Sequence, residues 1–150
     1  MFYSNKMKEI RNINNIKQYE IAKILNITPF DYSHFETEHT IIPLKHLINF
    51  CNYFNISLDY IFEFDKKLTK NNKSDVNLEL SGKRLKEFRK EKGLTQVKLA
   101  SIIKVSNTII SEYEKGHLLI STHALYDICK KYGISADYLL GKTDNPKYYR

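Results

Sequence analysis

The sequence is poor in residues that break helices or cross-link chains: among 150 residues there are 5 glycines, 3 prolines, 2 cysteines and no tryptophan. Because glycine and proline are the residues least compatible with a helix interior, their scarcity favours helices. Two cysteines are too few for the disulfide framework of a small secreted domain. Cys51 and Cys129 are therefore expected to be small hydrophobic core residues and not a redox pair.

Long apolar segments and secretion signals are also missing. The sequence contains no run of 18 apolar residues, so no membrane-spanning helix is predicted. Its opening, "MFYSNKMKEI", turns polar at once, unlike the apolar region of a secretory signal. These absences predict a cytoplasmic protein with no membrane partner.

Patterns that carry catalysis or metal binding are missing too. There is no glycine-rich phosphate loop and no nucleophile with a base at a plausible spacing. None of the 5 histidines stands at metal-binding spacing from a cysteine or carboxylate. We therefore predict no enzymatic activity, no catalytic residue, no metal and no cofactor. A small-molecule ligand is left open, because helical domains with 11 tyrosines and 8 phenylalanines can hold one.

Positive charge is present in excess and unevenly distributed. The net charge is +7, which suggests a polyanionic partner, either nucleic acid or an anionic surface. Residues 1–65 contain 6 basic and 8 acidic side chains, whereas residues 76–150 contain 14 and 8, and residues 66–75 contain 4 and 1. Since affinity for DNA grows with the number of phosphates neutralised, the second half and the segment before it are the expected DNA-binding part.

The chain repeats itself with an offset of 78 residues: residues 7–62 align with 85–140 without a gap. Identical pairs include Gln18 with Gln96 and Ala22 with Ala100, and "ISLDY" recurs as "ISADY". A repeat of this kind predicts two similar structural units in one chain.

Each copy is expected to form five short helices, because apolar residues recur at helical spacing and no long stretch alternates with period two. Serine and threonine stand where helices should begin, as N-cap residues do. The predicted caps are Ser4, Thr28 and Ser57 in the first copy and Ser81, Thr95, Ser106, Ser121 and Ser135 in the second. The prediction is an all-α fold of two five-helix domains, residues 1–64 and 80–143, with a polar linker at 65–79 and a loose tail at 144–150.

The stretch "GLTQVKLASIIKVSNTIISEYEKG" meets the demands of two helices joined by a tight turn. Ala100 is the small residue needed where the helices cross, and Ser106 can cap the second of them. In the first copy Ala22 and Thr28 fill the same positions. The position in the turn that is often glycine is Lys104 here and Asn26 in the first copy. Because lysine tolerates a left-handed backbone less well than asparagine, the turn of the second copy is expected to differ slightly.

With its "LTQ" followed by "LA", its "VS" turn and its "YGISADYLLG", the second copy resembles the lambda repressor–Cro-like helix-turn-helix family, also called the xenobiotic-response-element type. The resemblance covers nearly the whole chain, once per copy. It implies five-helix domains that bind double-stranded DNA and lay the third helix in the major groove. It also implies structural ion pairs between the first and third helices, Arg11 with Glu36 and Arg89 with Glu114.

The third helix of the second copy presents polar side chains that can bond to base edges. Together with a glutamine that resembles the family residue bracing against a phosphate or base, they are the candidate DNA contacts of this copy: Gln96, Ser106, Asn107, Thr108, Ser111, Glu112 and Lys115.

The corresponding candidates in the first copy are Gln18, Thr28, Phe30, Ser33 and His34. Phe30 could contact a thymine methyl, but Asp31 beside it would be repelled by phosphates. The first copy either reads a second half-site weakly or serves in self-association.

Two functions are therefore open. The first is a sequence-specific transcriptional regulator, expected to be a repressor and a homodimer, that reads the major groove through the second copy and in one variant also through the first. The second is a protein–protein interaction module, an antagonist or adaptor with weak or no DNA binding, which the acidic first copy would fit.

Overall fold

The computed structural model describes residues 2–66 and 76–147, and these fall into two compact units, one for each copy of the repeat. All elements longer than an isolated bridge in these residues are helices. The predicted all-α architecture of two five-helix domains is confirmed. Across residues 2–66 and 76–147, no helix combines the length and the apolar character needed to cross a membrane.

The first domain packs five helices around a core of aliphatic and aromatic side chains. The second and third of these helices lie against each other, and Ala22 is fully buried where they meet. In chain order the helices are α1 (Phe2–Ile13), α2 (Gln18–Leu25), α3 (Pro29–Glu36), α4 (Leu44–Phe54) and α5 (Leu58–Ile61).

The second domain repeats this order. Gly82 allows its first helix to rest on the end of its third, since a Cβ at this position would lie 2.5 Å from the carbonyl oxygen of Tyr113. Cys129 is buried in the core, as Cys51 is in the first domain. In chain order the helices are α6 (Leu78–Glu91), α7 (Gln96–Ile102), α8 (Asn107–Glu114), α9 (Thr122–Tyr132) and α10 (Ala136–Leu139).

Most of the predicted helix starts are confirmed by a side-chain oxygen that accepts a hydrogen bond from the third backbone N–H along the chain. These caps are Thr28, Ser57, Thr95, Ser106, Ser121 and Ser135. The predictions at Ser4 and Ser81 are wrong, because both residues lie inside longer helices. The cap of α6 is Asn77, whose Oδ1 accepts from the backbone N–H of Leu80. The helix therefore begins at Leu78, four residues before the start that a cap at Ser81 would give.

The turns between the second and third helices are alike in the two domains, which contradicts the expected difference. Asn26 has φ +57° and Lys104 has φ +56°, both left-handed. In each turn the next backbone N–H donates to the carbonyl of the buried alanine, Ile27 to Ala22 and Val105 to Ala100. Packing of the two helices therefore imposes the left-handed conformation on Lys104 in spite of its lower intrinsic tolerance.

The ends of the domains differ from the predicted boundaries in two places. Helix α6 begins at Leu78, inside the predicted linker, of which residues 67–75 lie outside the described residues. The start of the predicted loose tail is held down: Arg84 donates to Asp144, and the carbonyl of Pro146 accepts from the N–H of Ser135. Residues 148–150 of the tail lie outside the described residues.

Candidate nucleic-acid interface

In the second domain, α8 is fixed by one face and presents the other to solvent. Ile110 and Tyr113 are buried against the core, and the Oγ of Ser106 accepts from the N–H of Ile109 to start the helix. Helix α7 packs against α8 with Leu99 and Ala100 buried. The pair therefore holds the remaining face of α8 in a defined position.

The structure brings the candidate DNA contacts of the second copy together on and beside this face. At the start of α8, Ser106, Asn107 and Thr108 are exposed. Further along the helix, Ser111 and Glu112 are half-buried, and Lys115 is exposed directly after it. These side chains offer donors and acceptors of the kind that read base edges in the major groove.

One contact on this face was not predicted from the sequence. The Nδ1 of His117 lies 2.9 Å from Oε2 of Glu112. The chain bends back after α8 because Gly116 has φ +74°, and the N–H of His117 bonds to the carbonyl of Glu112 at 3.0 Å. Spacing alone did not reveal the contact, because His117 and Glu112 are five residues apart, which is more than one helical turn. The left-handed turn at Gly116 brings the two side chains together.

Exposed lysines surround the same helices, and one of them, Lys98, was not singled out in the sequence. Lys98 lies on α7, Lys104 lies in the turn, and Lys115 follows α8. The matching residues of the first domain are Glu20, Asn26 and Thr37, none of which is basic. The second domain therefore has the more positive potential on this side, as its sequence charge indicated.

A buried polar network ties α6, α7 and α8 together behind this face. Arg89 donates from Nε and Nη2 to the two carboxylate oxygens of Glu114, at 2.7 and 3.0 Å. Its Nη1 donates to the carbonyl of Leu94 at 2.9 Å, just before α7. The Nε2 of Gln96 lies 3.3 Å from Oε1 of Glu114, so this candidate DNA contact is also anchored to the network.

The first domain contains the same network with one more member. Arg11 donates to Glu36 at 2.7 and 3.1 Å, and Gln18 donates to the same carboxylate at 2.7 Å. The hydroxyl of Tyr32 donates to Oε1 of Glu36 at 2.8 Å, a contact the sequence analysis missed. The spacing of four residues on one helix was the available signal, because such residues share a helix face.

Protonation in this network follows from the hydrogen bonds. Burial alone would raise the pKa of Glu36, but the bonds from Arg11, Gln18 and Tyr32 outweigh burial and lower that pKa. The bond to Glu36 raises the pKa of Arg11, and burial raises the pKa of the Tyr32 hydroxyl. At neutral pH the carboxylate is therefore charged and the phenol is a donor.

The matching face of the first domain is aromatic where the second domain is polar. Phe30 is 68% exposed, and its ring packs against His34 with the ring planes inclined by 42° and the ring centres 4.1 Å apart. The ring centre of His39 lies 5.0 Å from that of His34. Thr28 is exposed but engaged as a cap, and Ser33 is half-buried.

Two family models match the chain. One, described as helix-turn-helix, matches residues 7–61, and the other, described as helix-turn-helix domain, matches residues 82–145. These two matches coincide with the two domains of the structure.

Curated relatives agree with these matches. The chain is 39% identical over 64 residues to the HTH-type transcriptional regulator YazB of Bacillus subtilis, an alignment that covers 43% of this chain and 93% of YazB. The chain belongs to the helix-turn-helix family.

Two further relatives are longer than the matched region. The HTH-type transcriptional regulator ImmR of Bacillus subtilis is 39% identical over 66 residues, 44% of this chain and 52% of ImmR. The antitoxin PezA of Streptococcus pneumoniae is 36% identical over 61 residues, 41% of this chain and 39% of PezA. The chain thus spans about half of ImmR and about two fifths of PezA, and the likeness is that of one helix-turn-helix domain.

Proposed function

We propose that this chain is a sequence-specific regulator of transcription that binds double-stranded DNA through its second helix-turn-helix domain. Helix α8 would lie in the major groove, where a helix of this motif meets base edges. The observation that carries the proposal is the exposed polar face of α8, held by buried residues on its other side. Binding within a promoter would obstruct transcription, so we assign it the role of a repressor in the cytoplasm.

Base recognition is assigned to the first turn and the middle of α8. Asn107 can bond bidentately to adenine, and Ser106, Thr108 and Ser111 can bond to several base edges. Glu112 can accept a hydrogen bond from cytosine, and His117 holds its carboxylate from the side.

Contacts to the DNA backbone are assigned to the residues around α8. The amide of Gln96 has two N–H groups, so it can donate one to Glu114 and keep the other for a phosphate. Lys98, Lys104 and Lys115 are exposed and can neutralise phosphates. Such contacts position the protein on DNA without reading its sequence.

The proposal is tested by selecting bound duplexes from a randomised pool with the full chain and repeating the selection with Asn107→Ala. We expect one enriched motif, and we expect the variant to lose the preference for adenine at one position and about 1–3 kcal/mol of binding free energy. The matched control is Pro29→Ala in the first domain, which should leave the motif unchanged. A folded chain that enriches no sequence contradicts the proposal.

A second candidate function is an interaction module with weak or no DNA binding, favoured by the aromatic and acidic surface of the first domain. The two functions predict different responses to salt. DNA binding through several lysines weakens steeply as the salt concentration rises. For each phosphate contact, a tenfold rise in salt lowers the association constant about tenfold. A folded chain with no measurable affinity for DNA would favour the interaction module.

A further inference from the structure

The chain turns back at the end of α8 and brings an imidazole to the polar face of this helix. The N–H of His117 donates to the carbonyl of Glu112 at 3.0 Å, and Nδ1 of the same residue lies 2.9 Å from Oε2 of the Glu112 carboxylate. Helical spacing places Glu112 on the same side of α8 as Thr108 and Lys115. His117 is therefore attached to Glu112 by both its backbone and its ring, and the ring lies among the candidate DNA contacts.

The contact with Glu112 decides which ring nitrogen of His117 carries a proton. A carboxylate only accepts hydrogen bonds, so Nδ1 is the donor. A neutral imidazole has a single N–H, which leaves Nε2 without a proton and able only to accept. When a second proton is added, Nε2 becomes a donor and the ring becomes a cation. The side chain is 61% exposed, so a partner can reach the nitrogen whose role changes.

Only the protonated ring suits a DNA phosphate. Phosphate oxygens accept hydrogen bonds, so a neutral Nε2 cannot bond to them, whereas an imidazolium donates a charge-assisted bond. The added charge also offsets the carboxylate of Glu112, which by itself repels phosphates. Helix-turn-helix units read bases with the start of the third helix. Because His117 lies beyond the end of α8, beside Lys115, its ring is placed for the DNA backbone.

Charged groups reach this turn from the two helices that meet there. Helix α8 contributes Glu112, and Lys115 follows the helix with an exposed side chain. Helix α6 contributes Glu79, which is exposed and whose Cα would lie 3.0 Å from a Cβ at Gly116. Glutamate and lysine as residue types titrate well outside the range from about pH 6 to 8, whereas histidine changes its charge there. A change of pH in this range therefore acts on the imidazole of the turn.

The first domain has the same turn without the acidic partner. Glu38 takes the left-handed position of Gly116 with φ +64°, and the N–H of His39 donates to the carbonyl of His34 at 3.0 Å. The residue that matches Glu112 is His34, so the ring of His39 lies beside another imidazole, with the ring centres 5.0 Å apart. A proton added to His39 meets no carboxylate at the matching position. The first domain therefore offers a matched control.

We propose that His117 binds a DNA phosphate as the imidazolium, so that the second domain takes up a proton from the solvent when it binds DNA. Glu112 accepts from Nδ1–H, and Nε2–H donates to the phosphate oxygen. Because proton binding and DNA binding favour each other, DNA affinity rises as the pH falls. The inference rests on the proposed function, since it assigns a pH-regulated contact to the same DNA-binding face.

The test is the affinity of the full chain for a labelled mixed-sequence duplex of about 20 base pairs, which presents phosphates whatever its sequence. Fluorescence anisotropy at pH 6, 7 and 8 and constant ionic strength gives the dissociation constant at each pH. We expect the constant to rise at least about fivefold from pH 6 to pH 8, within the limit of about tenfold per pH unit that one linked proton allows. His117→Gln, whose side chain does not titrate, should abolish this rise.

Two further variants test the charge and its location. His117→Lys keeps a positive charge at every pH used, so its affinity at pH 8 should stay close to its affinity at pH 6 and exceed that of His117→Gln. His39→Gln removes the matching histidine of the first domain and should leave the pH dependence unchanged. Circular dichroism establishes that each variant is folded, and His117→Asn takes the place of His117→Gln if the latter is not.

The possible results separate this inference from the proposed function. A natural chain whose affinity for DNA does not change with pH overturns the inference, as does a pH dependence that His117→Gln keeps or that His39→Gln removes. A His117→Gln chain that selects a different DNA motif shows that the ring meets a base, and the phosphate contact is then wrong. In each of these cases an enriched motif leaves the proposed function standing, whereas a folded chain with no DNA affinity at any pH overturns both.

Discussion

In both domains an arginine of the first helix donates two hydrogen bonds to a glutamate at the end of the third helix, but the first domain adds a tyrosine hydroxyl to that carboxylate. Tyr32 donates to Glu36 at 2.8 Å, whereas the matching residue of the second domain is Ile110. The glutamine also lies closer in the first domain, at 2.7 Å for Gln18 against 3.3 Å for Gln96. The first domain thus directs more of its polar groups inward, and the second leaves its glutamine less tightly bound to the network.

The solvent-exposed faces of the third helices differ the other way, because there the second domain is the more polar. Helix α8 exposes Asn107 and Thr108, whereas α3 exposes Pro29 and Phe30 at the matching positions. The backbone frame is the same in both, including the left-handed residues Asn26 and Lys104. One frame can therefore carry two different surfaces, because the residues that hold it are buried and those that meet a partner are not.

The largest expected effect comes from replacing the central carboxylates, Glu36→Gln and Glu114→Gln. An amide of the same shape keeps the volume but places an N–H₂ against the arginine donors and removes the charge that compensates the guanidinium. We expect each variant to lose about 3–5 kcal/mol of unfolding free energy in its own domain, with the larger loss at Glu36. Denaturant unfolding of the full chain, followed by NMR signals of each domain, measures both.

The control for this comparison is the double variant Arg89→Met with Glu114→Leu. Replacing both charges by apolar residues leaves no unpaired ion, so it should be less destabilising than Glu114→Gln alone. A larger loss at Glu114 than at Glu36 would contradict the idea that the first network is the more fully bonded.

The next effect in size is that of Tyr32→Phe, which removes the one contact that the second domain lacks. A hydrogen bond to a charged group contributes about 1.5–3 kcal/mol, and the loss should fall within that range because Tyr32 is fully buried. Tyr113→Phe is a milder control, since that hydroxyl accepts a longer bond of 3.3 Å from the N–H of Ser121. Equal losses of unfolding free energy in the two variants would show that the bond from Tyr32 to Glu36 stabilises its domain no more than the longer bond at Tyr113 does.

These particular residues also show how far a sequence can be interpreted. The caps at Thr28 and Ser106 could be predicted because one side chain and its own helix decide them. The start of α6 could not, because Asn77 and Ser81 are both capable caps and residue order does not say which of them is used. The conformation of Lys104 depends on the packing of two helices, and the contact between the rings of Phe30 and His34 depends on rotamers, so neither is visible in residue order.

The same residues show which features of the candidate site could be predicted. Polar side chains on α8 follow from helical spacing, so the exposure of Asn107 and Thr108 could be predicted. The contact between His117 and Glu112 needs the left-handed turn at Gly116, which spacing does not report. Tyr32 lies on the apolar face of α3, so its position predicts a core residue. The partner of its buried hydroxyl has to be sought separately, and it is Glu36.

The smallest expected effect is at low pH. As the pH falls, the natural first domain should lose unfolding free energy that its Glu36→Gln variant does not lose. The pKa of Glu36 is lowered in the folded state, so the carboxylate contributes stability above its unfolded pKa of about 4.3. That contribution is lost as the pH falls from there through the folded pKa, at up to about 1.4 kcal/mol per pH unit. Hydrogen exchange in the first domain between pH 6 and 3, corrected for intrinsic exchange rates, measures the loss. Glu36→Gln should remove this part of the pH dependence, since its side chain does not titrate. If the variant instead keeps the full acid sensitivity of the natural chain, the buried carboxylate is not its source, and the stability of the first domain at low pH is set by other groups.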